Sequence, residues 1–148
     1  MSVALCGAGK MILVVDDHEP TRGVLVRILK LEGYAAMAAE SGAEALAFLK
    51  VYTPRLIVLD YSMPDMDGLT LFSLIRHDEK LKHIPVIMFS ANGGQVKEQA
   101  LKAGVDAYIV KASLDWMNLS NEIARLAGPP SSDPALPRVN PLRSRDIG

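Results

Sequence analysis

Short apolar runs alternate along this chain with longer stretches whose apolar positions recur at helical spacing. "MILVV" (11–15), "RLIVL" (55–59), "PVIMF" (85–89) and "DAYIV" (106–110) are continuous, not alternating, as strands buried on both faces should be. "YAAMAA" (34–39) is a weaker strand candidate. Between the runs, Pro20 suits the first turn of a helix that carries Val24, Leu25, Ile28 and Leu29 on one face and stops at Gly33. Ser41 and Glu44 form a capping-box pair opening a helix that buries Leu46 and Leu49, and Thr53-Pro54 breaks it. A loop containing "MPDMDG" leads into a helix with Leu71, Phe72 and Ile75 inward. "NGG" (92–94) turns into a helix ending near Gly104, and a last helix from Ser113 aligns Trp116, Leu119, Ile123 and Leu126. Five strand–helix pairs predict an α/β fold built on a doubly wound parallel sheet with helices on both faces.

After Gly128 the pattern stops. Residues 128–148 hold five of the nine prolines and show no periodicity, so a flexible tail or linker is expected there. The domain expected is therefore 11–127, preceded by an N-terminal extension, 1–10. "GAGK" (7–10) lacks the P-loop spacing: Ala4 stands where a glycine is needed, Met11 where Ser or Thr is needed, and the segment precedes the first strand.

Composition narrows the field further. At 148 residues the chain is long enough for one domain with a core. The net charge of −1 gives no field to attract nucleic acid or an anionic membrane. No apolar run approaches the ~20 residues of a membrane helix, and the N-terminus lacks the makings of a signal peptide. The single cysteine, Cys6, excludes an internal disulfide and a cysteine-based zinc site. A cytoplasmic setting is expected.

The chemistry lies where the strands end. Ligands of open parallel sheets bind beyond the C-terminal strand ends, at the point where strand order reverses. There the sequence places Asp16 and Asp17, Asp60, Ser90 and Lys111. In a flavodoxin-like order, 2-1-3-4-5, the first and third strands are neighbours and the three aspartates converge. Three carboxylates against one ammonium call for a counterion, and Mg²⁺, which takes one or two carboxylates and keeps waters, is the expected one. A cation, a hydroxyl and Mg²⁺ around one carboxylate suit a phosphoryl group carried as an acyl phosphate.

The acidic pair, "LDYSMPDMDG", Ser90 and "DAYIVK" together resemble the receiver domain of response regulators (CheY-like, two-component signal transduction), over residues 11 to about 127. The resemblance implies that Asp60 accepts a phosphoryl group from phosphohistidine on a histidine kinase or histidine phosphotransfer protein. It implies Mg²⁺ on Asp17, Asp60 and the backbone carbonyl of Ser62, with Asp16 acting through metal-bound water. Ser90 and Lys111 would hold phosphoryl oxygens, Tyr108 would be the aromatic switch, and Ser62 and Asn92 would tune dephosphorylation. The output surface would be the fourth helix, fifth strand and fifth helix, facing a downstream protein or a second copy. The chain departs from the family pattern at Lys111-Ala112, where the family has a proline joined by a cis bond. A cis bond before a non-proline residue costs about 2.5–4 kcal/mol, so the departure bears on the Lys111 contact and on coupling to the output face.

No helix-turn-helix or second enzyme domain follows residue 128. A phosphorylation-controlled switch acting by binding another protein is therefore expected, or a receiver cut from a larger chain. It would not be an enzyme, beyond Mg²⁺-dependent self-phosphorylation from small donors and slow loss of the phosphoryl group to water. Two other readings are a phosphorylation-independent binding module and a Mg²⁺-dependent aspartyl phosphohydrolase. The second wants an acid two residues past the nucleophile, where Ser62 stands.

Overall fold

The computed structural model describes residues 11–91, 93–111 and 116–130. Asn92 and Ala112 lie outside the described residues, as do the expected extension and the segment 131–148. Five strands alternate with five helices: β1 (Met11–Val15), α1 (Glu19–Leu31), β2 (Ala35–Ala39), α2 (Gly42–Val51), β3 (Leu56–Leu59), α3 (Gly68–Arg76), β4 (Val86–Ser90), α4 (Gln95–Ala103), β5 (Ala107–Val110) and α5 (Trp116–Ala127). All strands pair in parallel in the order β2-β1-β3-β4-β5, the flavodoxin-like arrangement expected of the alternation.

Successive strand residues point to opposite faces, which explains the continuous apolar runs. Ile12, Val14, Leu56, Val58, Ile87, Phe89 and Ile109 pack with α1 and α5 on one face. Leu13, Val15, Ile57, Leu59, Val86, Met88 and Tyr108 pack with α2, α3 and α4 on the other. The helices present the expected faces, with small corrections of phase. Leu25 and Leu29 are buried from α1, but Val24 is 46% exposed. In α2 the buried residues are Gly42, Ala45 and Leu49, with Leu46 at the margin of the core. Leu71, Phe72 and Ile75 are all buried. In α5 the inward residues are Leu119, Ile123 and Ala127; Leu126 is only partly buried and Trp116 is 39% exposed.

Local chemistry ends the helices where the sequence signals it. Ser41 accepts from the Glu44 N–H and Asp67 from the Thr70 N–H, each filling an unpaired amide of a first turn. Gly33 and Gly104 follow α1 and α4 at φ values of 101° and 109°, which favour glycine. The first residues beyond α5 lie on the fold: the Tyr34 hydroxyl donates to the Gly128 carbonyl at 2.8 Å, and Arg55 Nη1 to that of Pro129 at 3.3 Å.

Candidate functional site

Sheet register brings the acidic residues together. Val15 pairs with Leu59, so the next residues of the two chains, Asp16 and Asp60, leave the sheet side by side. Their backbones are tied in place: the Asp60 N–H donates to the Val15 carbonyl at 2.9 Å and the Asp16 N–H to that of Ala39 at 3.1 Å. Ser90 pairs with Val110, which sets Lys111 at the same edge.

Asp16, Asp60 and Ser90 are the buried polar side chains among the described residues, at 1%, 5% and 0% exposure, whereas Asp17 is exposed. One oxygen from each of Asp16, Asp17 and Asp60 lies within 4.8 Å of the others. The Lys111 ammonium reaches into this group, 2.8 Å from Asp16 Oδ2 and 3.7 Å from Asp60 Oδ2, with the Phe89 ring centroid 5.5 Å away. Lys111 is thus in contact with two of the carboxylates, while Ala112 lies outside the described residues.

Asp16 and Asp60 are not equivalent. Asp16 directs Oδ1 to the His18 N–H at 2.8 Å and Oδ2 to Lys111, and its carbonyl accepts from Arg22 Nη1 at 2.7 Å. Burial, then the charge of Asp16, push the Asp60 carboxyl up to about 7, against the opposing pull of Lys111. A second carboxylate beside a buried one is costly unless a cation shares the space. The donor set is all oxygen, which matches a hard dication in kind. Asp17 and Asp60 are the members least engaged by the protein.

The loop after β3 keeps the backbone close to Asp60. A Cβ on Gly68 would come within 2.5 Å of the Asp60 carbonyl oxygen and 2.9 Å of Tyr61 Cα. Gly68 instead donates its N–H to the Tyr61 carbonyl at 2.6 Å. On the far side of the sheet edge, the Tyr108 hydroxyl is hydrogen-bonded to Ser90, and burial raises its pKa while that bond opposes the rise.

The structure therefore gathers Asp16, Asp17, Asp60, Ser90, Tyr108 and Lys111 at one edge, with Ser62 two residues beyond Asp60; Asn92 lies outside the described residues. Sequence reasoning missed His18 and Arg22. His18 caps α1 through Nδ1 and gives its N–H to Asp16. For Arg22 a signal existed: a cation in the first turn opposes the helix dipole, so it needs a local acceptor.

The model of the response regulator receiver domain matches residues 12–123. The chain belongs to this family. CheY1 of Helicobacter pylori, a chemotaxis protein, is 40% identical over 103 residues, covering 68% of this chain and 83% of its own. PhoB of Pseudomonas aeruginosa, a phosphate regulon transcriptional regulatory protein, is 38% identical over 104 residues. That match covers 70% of this chain but 45% of PhoB. The crystal structure of the response regulator TrrA of Thermotoga maritima, in complex with Mg²⁺-BeF, superposes with a TM-score of 0.71 at 34% identity. It covers 79% of this chain and 98% of TrrA. Receiver domains are signalling domains of two-component systems that interact with histidine kinases and downstream targets. Among the described residues no helix is long and apolar enough to cross a membrane.

Proposed function

We propose that this receiver, as a cytoplasmic unit of residues 11–127 followed by a tail, takes a phosphoryl group from phosphohistidine onto Asp60. The observation that carries the reading is the burial of Asp60 at the sheet edge with Asp16, Asp17 and Lys111 around it. A carboxylate oxygen of Asp60 attacks phosphorus as the bond to the imidazole nitrogen breaks, and the histidine leaves with the electron pair. Asp17, Asp60 and the Ser62 carbonyl would hold Mg²⁺, with Asp16 acting through water, and the ion would supply charge neutralisation at the phosphoryl oxygens. Lys111 supplies a second positive charge beside Asp60. Its present partner, Asp16, keeps the ammonium pointed into the site until phosphoryl oxygens compete for it.

Ser90 connects the site to the surface. Its hydroxyl is bonded to Tyr108, so turning it toward a phosphoryl oxygen changes the partner of the Tyr108 ring. The surface of α4, β5 and α5 would carry that change to a downstream protein or a second copy of the chain. Ser62 and Asn92 would set how readily water removes the phosphoryl group. Small phosphoryl donors would also serve, with slow hydrolysis afterwards.

Incubation with acetyl phosphate and Mg²⁺, followed by intact-mass measurement, tests this. One added phosphoryl group is expected, absent in Asp60→Asn and absent in EDTA. A wild-type mass unchanged by acetyl phosphate and by a phosphorylated histidine kinase would overturn the reading. Sustained turnover of phosphomonoesters would point instead to a hydrolase.

A further inference from the structure

The first turn of α2 is completed by a residue from another part of the chain. Ser41 serves only the third amide of the helix, that of Glu44, at 3.1 Å. The two amides before it, Gly42 and Ala43, have no acceptor within their own helix. Both donate to a single carboxylate: Gly42 N–H to Asp65 Oδ1 at 3.1 Å and Ala43 N–H to Asp65 Oδ2 at 2.8 Å. These two bonds hold the Asp65 carboxyl below the usual carboxylate range.

Packing reinforces the contact. A Cβ on Gly42 would stand 2.5 Å from Met66 Cγ and 2.7 Å from its Sδ, so the absence of that atom lets Met66 lie on the helix start. At the other end of the loop, Asp67 caps α3 and Gly68 donates to the Tyr61 carbonyl. The stretch 61–67 is thus fastened to two helix N-termini, α3 by Asp67 and α2 by Asp65 with Met66. Ser62 lies within it.

We propose that Asp65, with Met66 seated on Gly42, is a positioning residue that holds this loop against α2 and so aims the Ser62 carbonyl at the metal. The inference rests on the reading of that carbonyl as a ligand given above. Partners that orient a ligand without touching the metal govern affinity strongly. The coupling is also reciprocal: whatever loosens the start of α2 weakens metal binding, and metal binding steadies the start of α2.

Isothermal titration of Mg²⁺ into wild type, Asp65→Ala, Asp65→Asn and Gly42→Ala tests it, at a temperature where circular dichroism shows all four folded. Asp65→Ala is expected to weaken Mg²⁺ binding about tenfold, by the usual effect of losing an orienting partner. Asp65→Asn, which keeps one acceptor oxygen, should fall between Asp65→Ala and wild type. Gly42→Ala leaves every charge in place and should still weaken binding by displacing Met66. Wild-type affinity in Asp65→Ala would overturn the proposal. So would equal weakening in the two Asp65 variants with Gly42→Ala unaffected, since loss of charge alone would then account for the effect. Failure of wild type itself to bind Mg²⁺ would overturn the reading of the site, and this inference with it.

Discussion

Asp60 is buried against Asp16 with one ammonium between them, and that crowding has a thermodynamic signature. Its carboxyl is pushed up to about 7, so the folded state holds this proton more tightly than the unfolded chain does. The stabilisation from that proton is fully present below the unfolded pKa near 4 and is lost as pH rises through about 7. Asp60→Asn removes the titrating group while keeping its shape. In EDTA, urea unfolding followed by Trp116 fluorescence should show the variant more stable at pH 8, by up to about 4 kcal/mol. The gain should vanish as the pH falls to about 4, where Asp60 is neutral in the folded protein. On the proposed function, that stability is given up at Asp60 for a carboxylate that takes the phosphoryl group.

The loop from β3 to α3 illustrates how an element serves the site at the expense of its own propensity. Gly68 begins α3, where alanine would ordinarily favour the helix by about 1 kcal/mol. Here a methyl group meets the backbone of Asp60 and Tyr61, which cannot rotate aside as a side chain could. Gly68→Ala is expected to destabilise the protein by about 2 kcal/mol or more, measured as a lower denaturant midpoint at unchanged m-value. The elements themselves were largely legible in the sequence, since strands that are apolar on both sides leave long unbroken runs. Their polar ends were legible for the same reason: an aspartate, serine or lysine that interrupts such a run stands out. Helix phase was less so. Ala45, Ala100 and Ala127 are buried but too small to mark a face, while Val24 and Trp116 are large and sit toward solvent.

The two ends of the sheet do different work. At the C-terminal strand ends the carboxylates gather, while at the opposite end Tyr34 and Arg55 fasten the segment that follows α5. Burial, then the neighbouring Glu32, raise the Tyr34 pKa, so its hydroxyl keeps its proton and remains a donor to Gly128. Tyr34→Phe should cost about 1 kcal/mol. It should also speed hydrogen exchange at the Gly128 amide, which donates to the Ala124 carbonyl, while leaving exchange in β1 and β3 unchanged. Strand type, parallel pairing and the residues at the sheet edge follow from local pattern, because the number of apolar neighbours a strand needs is written into its own composition. The family resemblance followed from the same residues in order. The partners of those residues did not. That Lys111 bonds Asp16, that Arg22 holds the Asp16 carbonyl, and that Asp65 caps α2 depend on which chain segments lie within about 3 Å once the sheet has closed. Unlike the Ser41–Glu44 cap, these short-ranged, directional bonds follow no fixed spacing along the chain; only the packed fold brings donor and acceptor together.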